Sequence, residues 1–357
     1  MVPSNLPAQL VSKANLQNDA VPAGIVKKDL NTWGPRLGVV YNATDRTVVR
    51  SGFGVYYDNL NFNELQFTRL VPPFYGMYSL QPNLASGPLL ADKLFPDLNN
   101  IPEFPAPFSI DPNNRTAYIV QWNVNVQRSL GNNDLVEIAY TGSESRNEHK
   151  RFNINQARPG ITPIQTRVPY PAFQWAILYS SDAGHAEFRA VSVRLEKRDS
   201  GGLWLNANYQ LARNRDNGSG EIEANDTAYA WDLDADYGYA RYDQRHRSAF
   251  SFGYELPFGP GKRWVSSGPM AHALGGWQVQ GVVSLASGFP FSVSSTNVCQ
   301  CGNFVPNRAN LVTPGNYGEL DNPTPTRWFD TTAYAVPAPA RKAMRGATRS
   351  ARREPSW

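Results

Sequence analysis

The sequence predicts an all-β fold, a partial transmembrane antiparallel β-barrel built as a meander of about 8–10 long strands with long extracellular loops. Three observations predict this fold. Aromatic residues make up 12% of the 357 residues, and 28 glycines and 28 prolines punctuate the chain, which is typical of many strands separated by turns. Charged residues reach 18%, below the roughly 25% usual in soluble domains. Apolar and polar residues alternate along several stretches, and the connections between these stretches alternate between short and long.

The strands are predicted from the period-2 alternation of apolar and polar residues. In the stretch 118–130, Trp122, Val124 and Val126 alternate with asparagine and glutamine. The tripeptide Gly131-Asn132-Asn133 follows and suits the positive backbone φ of a tight turn. The same reasoning predicts four hairpins, with strands at 36–43 and 47–58, 118–130 and 134–142, 191–196 and 203–211, and 247–256 and 277–285.

The predicted hairpins are joined by long connections, at about 59–117, 143–186 and 214–244, and a fourth long stretch follows Ser287. In a soluble β-sandwich, loops beyond ~12–15 residues are uncommon. A transmembrane barrel instead combines tight periplasmic turns with extended outer loops, and its strands of roughly 9–11 residues cross the bilayer at a tilt. The lengths of the connections therefore favour the transmembrane barrel.

The two faces of the predicted strands also differ. Aromatic side chains lie on the apolar faces near strand ends, where an aromatic girdle is expected, at Trp122, Tyr140, Tyr209, Tyr254 and Trp277. The alternative interpretation is the ordinary aromatic core of a sandwich. The opposite faces carry uncharged Gln and Asn, whereas the outer face of a sandwich is usually decorated with Lys and Glu. We therefore expect an apolar side towards lipid and a wet interior.

A series of motifs, taken in order, points to one family. The motifs lie at 31–38 (NTWGPRLG), 47–58 (TVVRSGFGVYYD), 118–128 (YIVQWNVNVQR), 136–143 (VEIAYTGS), 195–198, 242–247, 254–259, 274–278 and 287–291. The series resembles the barrel of Oar-like TonB-dependent outer-membrane receptors. The resemblance implies a barrel of about 22 strands, filled by an N-terminal plug domain, preceded by a small immunoglobulin-like carboxypeptidase-regulatory domain and energised by the TonB complex. It also implies a fragment that lacks the plug and the C-terminal strands.

The chain is predicted to divide into three parts: an irregular N-terminal segment at 1–30, a partial outer-membrane β-barrel at 31–334, and a basic, disordered tail at 335–357. The formal charge of +4 is concentrated in the tail. Its basic residues are Arg341, Lys342, Arg345, Arg349, Arg352 and Arg353. No basic stripe is left for a phosphate backbone, so the sequence predicts no nucleic-acid partner.

The resemblance implies part of a TonB-dependent outer-membrane active transporter or receptor, which takes up a substrate across the outer membrane of a Gram-negative cell. The expected partners are outer-membrane lipid, the plug domain and TonB complex of the full-length protein, and a peptide, protein or glycan substrate. The alternative is a secreted or surface all-β binding or adhesin protein without transport activity.

An enzyme is not expected. The sequence contains no nucleophile elbow, phosphate loop or zinc-protease motif. An all-β glycoside hydrolase would need two carboxylates facing one cleft, and the strand-borne candidates Glu137, Glu196 and Glu255 fall on three different hairpins.

Aromatic residues in the long connections are the candidates for substrate contact. They are Trp175, Tyr179, Tyr229 and Trp231. Such rings can stack on sugars or peptides, or they can pack a long loop over the mouth of a barrel. We favour packing, because long loops often order themselves in this way.

One acidic stretch has a spacing that suits Ca²⁺, the one cofactor that the sequence suggests. Asp232, Asp234 and Asp236 alternate, and Asp243 is the twelfth residue counted from Asp232. In the calcium loop of an EF-hand, however, the sixth residue is glycine and the twelfth is glutamate, whereas Tyr237 and Asp243 stand here. The alternative is an acidic, solvated loop.

The two cysteines, Cys299 and Cys301, are two positions apart. Without a second pair or a nearby histidine they cannot build a zinc site. A small disulfide in an oxidising compartment and two free thiols are the alternatives, because bridging residues this close demands strained geometry.

Overall fold

The computed structural model describes residues 26–58, 108–171, 173, 176–219, 227–295, 301, 308–313 and 318–337. The strands are β1 (Arg36–Thr44), β2 (Thr47–Tyr57), β3 (Phe108–Ile110), β4 (Tyr118–Ser129), β5 (Asp134–Asn153), β6 (Leu178–Ser200), β7 (Leu203–Asp216), β8 (Gly238–Tyr239), β9 (His246–Glu255), β10 (Gln278–Ala286), β11 (Asn310–Leu311) and β12 (Tyr334–Ala335). A short helix, α1 (Pro269–Leu274), precedes β10. No helix in the described part of the chain is long and apolar enough to cross a membrane.

The long strands form one antiparallel meander in the order β1-β2-β4-β5-β6-β7-β9-β10. The short strand β3 pairs with β6 and the short strand β8 pairs with β7, which completes a ten-stranded sheet. Strands β11 and β12 form a separate small sheet. The predicted all-β meander and its four hairpins are confirmed. Within the described ranges the sheet is open, because β1 and β10 are the two ends of the strand order.

Strands β5 and β6 run well beyond the stretches that the sequence predicts. They contain 20 and 23 residues, so the predicted long connection at 143–186 is wrong over much of its length. Register shifts lie between Ser145 and Glu148 and between Glu148 and Lys150. A bulge disturbs the alternation of faces, so backbone pairing continues where the period-2 pattern has ended. The pair beyond Ser145, at 147–153 and 178–185, is called the arm below.

Cross-strand partners divide the sheet into two faces, because directly opposed residues of antiparallel strands project from the same side. One row joins Tyr41, Val49, Val126, Ile138, Val193, Tyr209, Ser248 and Leu285. A row on the opposite side joins Val40, Arg50, Asn125, Ala139, Ser192, Gln210, Arg247 and Ala286. We call the first side the apolar face and the second the polar face.

The apolar face is uncovered in the described part of the structure. Val124, Val126 and Phe250 expose 44%, 40% and 36% of their surface, and Phe252 is half-buried. In a β-sandwich these side chains would lie in the dry centre between two sheets. An apolar surface that extends across eight strands is far larger than soluble monomers expose, and it matches a wall that faces lipid. The sandwich interpretation of these residues is therefore wrong.

The apolar band runs obliquely across the sheet. The turns within the hairpins lie at one edge of the sheet, which we call the turn edge. The longer connections from one hairpin to the next lie at the opposite edge, which we call the loop edge. Val126 of β4 and Leu285 of β10 lie in the same row. Among the apolar residues of its own strand, however, Val126 is the one nearest the turn edge, whereas Leu285 is the one nearest the loop edge. The band has moved along the strands, as expected when the strands of a barrel are tilted.

Aromatic residues on the apolar face follow the same incline. Trp122 in β4, Tyr140 in β5 and Tyr209 in β7 lie in three successive rows, each closer to the turn edge than the one before. Tyr254 lies at the opposite border of the band, and Trp277, just before β10, is exposed. This arrangement agrees with the predicted girdle, in which aromatic rings occupy the two membrane interfaces.

A glycine opposite an aromatic residue lets the ring lie flat across the neighbouring strand. Gly142 is directly opposed to Trp122, and a Cβ at Gly142 would lie 2.5 Å from Cε2 of that indole. Similarly, a Cβ at Gly281 would lie 2.9 Å from Cε1 of Phe252. The ring covers the glycine backbone, which compensates for the missing side chain in the strand.

Candidate functional site

Beyond the loop edge, several connections pack onto the arm of β5 and β6. The side chain of Gln156 donates to the carbonyl of Ala228 at 2.8 Å and accepts from the amide of Ala230 at 2.6 Å. The hydroxyl of Thr227 donates to the carbonyl of Arg151 at 3.2 Å. We call residues 150–157, 216–217, 227–243, 301 and 308 the loop cluster. These hydrogen bonds tie the connection between β7 and β9 to the arm and to the residues that follow it.

A buried ion triad lies in the centre of the loop cluster. The carboxylate of Asp236 is 3.3 Å from Nζ of Lys150 and 2.8 Å from a guanidinium nitrogen of Arg308. The side chains of all three residues are at most 9% exposed. The triad therefore joins the arm, the connection between β7 and β9, and the segment that precedes β11.

Further contacts of the triad are made to the backbone. Both oxygens of Asp236 lie 3.2 Å from the amide nitrogen of Ala228, and Nζ of Lys150 also donates to the carbonyl of Asn217. These contacts matter because a buried charge is tolerated only when it is paired and hydrogen-bonded. Removing the carboxylate would take a buried counter-charge away from both cations.

Two further residues fasten the connection between β7 and β9. Asn217 accepts from the amide of His185 at 2.9 Å and donates to the carbonyl of Ala183 at 2.9 Å. Asp243 accepts from the amide of Asn214 at 2.5 Å. The connection is thus held at both ends by side-chain oxygens that accept backbone N–H groups.

His185 lies in the arm, and its ring stacks on Tyr237 at a centroid distance of 5.3 Å. Burial lowers the pKa of His185 and raises the pKa of Tyr237, because both rings are moved partly out of water. Both rings therefore stay uncharged near neutral pH, which suits their stacking.

The structure brings two of the predicted substrate-contact residues together. Tyr229 is 6% exposed and packs with Cys301, and its ring centroid lies 5.4 Å from that of Trp231. The guanidinium carbon of Arg158 lies 4.3 Å above the Trp231 ring. These are the packing contacts of a small apolar core, while substrate contact by either ring stays a prediction.

Tyr179 has a different partner. It lies in the arm, and its ring meets that of Phe152 edge-on at 5.9 Å. Burial raises the pKa of its hydroxyl. Trp175, the fourth predicted residue, lies outside the described residues.

The four aspartates of the suggested calcium loop have different environments. Asp236 is buried in the ion triad and Asp243 binds the backbone, whereas Asp234 is exposed. Asp232, Asp234, Asp236 and Asp243 do not form a ligand set, because the described ranges contain no group of three or more His, Cys, Asp or Glu residues that could hold a metal ion. Calcium binding stays a prediction from spacing alone.

Cys301 is disulfide-bonded and fully buried. Its carbonyl accepts from the amide of Ala157 at 3.1 Å, and its side chain packs with Ala228 and Tyr229. Of the two alternatives left open by the sequence, the structure supports a disulfide. Cys299, the other cysteine of the chain, lies outside the described residues.

The polar face of the sheet contains a cleft separate from the loop cluster. This cleft of about 310 Å³ opens on β1, β2 and β4, and it is lined by Arg36, Leu37, Gly38, Gly52, Phe53, Gly54, Tyr56, Gln121 and Asn123. Arg36 stacks over the ring of Tyr56 at 4.6 Å. Elsewhere on this face Arg50 donates to Gln127, and Asn208 donates to Asn206 at 3.0 Å. The polar face therefore offers hydrogen-bonding groups to a wet interior.

Residues 4–357 of the chain match the family model of the outer membrane beta barrel domain. The chain belongs to this outer-membrane β-barrel family. The apolar face is therefore the lipid-facing side of an outer-membrane β-barrel, and the predicted location in the outer membrane is confirmed. The matching family is described as a barrel domain, and the absence of enzymatic activity stays a prediction from the sequence.

Solved structures that resemble this outer-membrane β-barrel share little sequence with it. The FrpB iron transporter of Neisseria meningitidis is 10% identical over 62% of this chain and 24% of that chain, with a TM-score of 0.34. FpvA of Pseudomonas aeruginosa, bound to pyoverdines, is 9% identical over 74% of this chain and 24% of that chain, with a TM-score of 0.36. The outer membrane transporter YddB of Escherichia coli is 10% identical over 62% and 26%, with a TM-score of 0.37.

The outer-membrane β-barrel spans about a quarter of the length of those three structures. No protein with a curated description matches the chain.

Proposed function

We propose that this outer-membrane β-barrel is part of a TonB-dependent active transporter or receptor, which takes up a peptide, protein or glycan across the outer membrane. The polar face is the observation that supports uptake most directly. Its rows carry amides, hydroxyls and small residues that continue across the sheet, as expected for the wall of a water-filled or plugged interior. The order of the motifs between 31 and 291 adds the resemblance to TonB-dependent receptors.

In the proposed protein the substrate meets the loop cluster first. Tyr179, Tyr229 and Trp231, together with Trp175, are the proposed contact residues, because aromatic rings stack on sugars and peptides. The plug domain and the TonB complex of the full-length protein are the proposed partners inside the barrel and in the periplasm. Outer-membrane lipid surrounds the apolar face.

Coupling to TonB separates uptake from the alternative, a surface adhesin. The full-length protein is purified in detergent, and its binding to the purified periplasmic domain of TonB is measured by surface plasmon resonance. We expect saturable binding. A barrel porin from the same membrane serves as the control, and a response no larger than that of the porin contradicts the proposal.

A second experiment measures transport in cells. Fluorescent casein peptides and fluorescent maltodextrins are supplied to cells that produce the full-length protein, with and without TonB. Label that enters the periplasm only when TonB is present supports uptake. Label that stays on the surface equally in both strains supports the adhesin.

A further inference from the structure

A group of arginines lies on the lipid-facing side of the sheet, just beyond the loop-edge border of the apolar band. Register places Arg189 and Arg213 in the row of Trp122, Arg215 in the next row towards the loop edge, and Arg146 in the row after that. We call Arg146, Arg189, Arg213 and Arg215 the arginine belt. Because it shares a face with Val124 and Val191, the belt faces outwards from the barrel and not into its interior.

The belt keeps a positive charge after its internal ion pairs are counted. Glu144 lies 3.2 Å from Arg146 and 2.6 Å from Arg189. Glu187 lies 3.6 Å from Arg213 and is directly opposed to Arg215. Among the residues that the structure describes, two carboxylates thus face four guanidinium groups, and Arg146 and Arg213 are 44% and 47% exposed.

The position of the belt determines which anion it can meet. Trp122 lies under the guanidinium of Arg189 at 4.5 Å, and the exposed side chains of Tyr140 and Val191 lie next to it on the turn-edge side. A lipid whose acyl chains cover these apolar side chains has its headgroup at the level of the belt. Guanidinium groups bind phosphate through paired N–H donors.

We propose that the arginine belt binds the phosphate groups of an outer-leaflet lipid whose acyl chains lie on the apolar band. The lipid, rather than a free anion, is the occupant because the belt is continuous with the exposed apolar surface. The proposal goes beyond uptake and does not depend on it, since an adhesin with the same outer wall would bind the same lipid.

The test compares variants of the full 357-residue chain in a neutral detergent, with diphosphoryl lipid A as the probe. Arg146→Gln with Arg213→Gln removes the two exposed charges and leaves Glu144 with Arg189 and Glu187 with Arg215. Each arginine near a membrane surface contributes about five-fold in affinity, so the double variant should bind roughly 25-fold more weakly. The dissociation constant is measured by native mass spectrometry.

The matched control is Arg50→Gln with Arg247→Gln, which removes the same charge from one row of the polar face. It should bind lipid A like the unchanged chain, and Arg146→Lys with Arg213→Lys should retain most of the affinity. Circular dichroism verifies that each variant is folded. The proposal would be overturned if the belt and control variants lost equal affinity for lipid A, or if the affinity of the belt variant were unchanged. So would inorganic pyrophosphate that binds as tightly as lipid A, because the site would then be an anion site without a lipid.

Discussion

The apolar band and the loop cluster are ordered by opposite means. In the band, side chains such as Val124 and Ile138 are 44% and 51% exposed, and regular backbone pairing across eight strands provides the order. In the loop cluster, Lys150, Asp236 and Arg308 are buried, and side chains connect segments that share little regular pairing.

The difference reflects the surroundings of each region. In a bilayer, every backbone polar group has to be satisfied within the protein, and the apolar side chains need no protein core because lipid covers them. The cluster meets water, so it has to exclude water from its own polar contacts, and each buried charge then requires a partner. We therefore expect the band to be sensitive to added charge and the cluster to be sensitive to lost charge.

The largest effect is expected from Asp236→Ala. The change removes the buried carboxylate that pairs with both Lys150 and Arg308, and breaking a buried ion pair in this way costs about 3–5 kcal/mol. Hydrogen exchange should show faster opening of the arm at 150–153 and of 227–240, with unchanged exchange in the band. Asp234→Ala is the control, because Asp234 is exposed. If both variants opened equally, the suggested cation site would explain the cluster better than the ion triad.

A charge on the apolar face should have the next largest effect. Val124→Arg places a cation against lipid, at a cost of about 2–4 kcal/mol near the bilayer midplane. Asn123→Arg, one residue away on the polar face, should cost little because its side chain meets water. The free energy of unfolding in liposomes is measured by urea titration for both. Equal losses would contradict the assignment of the two faces.

A smaller effect is expected from Gly142→Val. Its Cβ would lie 2.5 Å from the indole of Trp122, and overpacking of this kind costs about 1–3 kcal/mol. Urea midpoints and tryptophan fluorescence should both shift. Gly38→Ala serves as the comparison, since a Cβ at Gly38 meets nothing within 4 Å. No shift at Gly142 would mean that the ring does not need to lie flat on this strand.

The smallest effect concerns Asp29, which is partly exposed. Its carboxylate accepts from the amides of Thr116 at 3.0 Å and Asn31 at 3.1 Å, and these hydrogen bonds hold its pKa below the usual value. Because the pKa of Asp29 is lowered in the folded state, the ionised carboxylate stabilises the fold at pH values above the ordinary pKa of an aspartate. This stabilisation is lost as the pH falls through the lowered pKa. Exchange of the Thr116 amide should therefore become less protected in acid. Asp29→Asn should remove this pH dependence, and a persistent dependence would point to another group.

The two regions also differ in how far they could be predicted. The hairpin of β4 and β5 follows from the alternation around Val124 and from the turn that precedes Asp134, because both signals are local. The arm was missed, since the bulges after Ser145 destroy the alternation that reveals a strand. The ion triad was also missed, because Lys150, Asp236 and Arg308 lie in three separate segments and no local pattern relates them.

The aromatic residues of the cluster fall between these two cases. The sequence alone makes Tyr229 and Trp231 candidates for either packing or substrate contact. Only the fold placed them against Cys301 and beneath Arg158, because such contacts depend on the three-dimensional path of the loops.

The sequence by itself determined that this chain forms amphipathic strands with one apolar and one amide-rich face, because alternation along a strand assigns each side chain to a side before any strand is paired. The tertiary structure decided the register, and with it the oblique course of the apolar band, the arginine belt and the buried ion triad. These features depend on which residues face each other across strands and between loops, and that choice is made by the whole sheet rather than by any one segment.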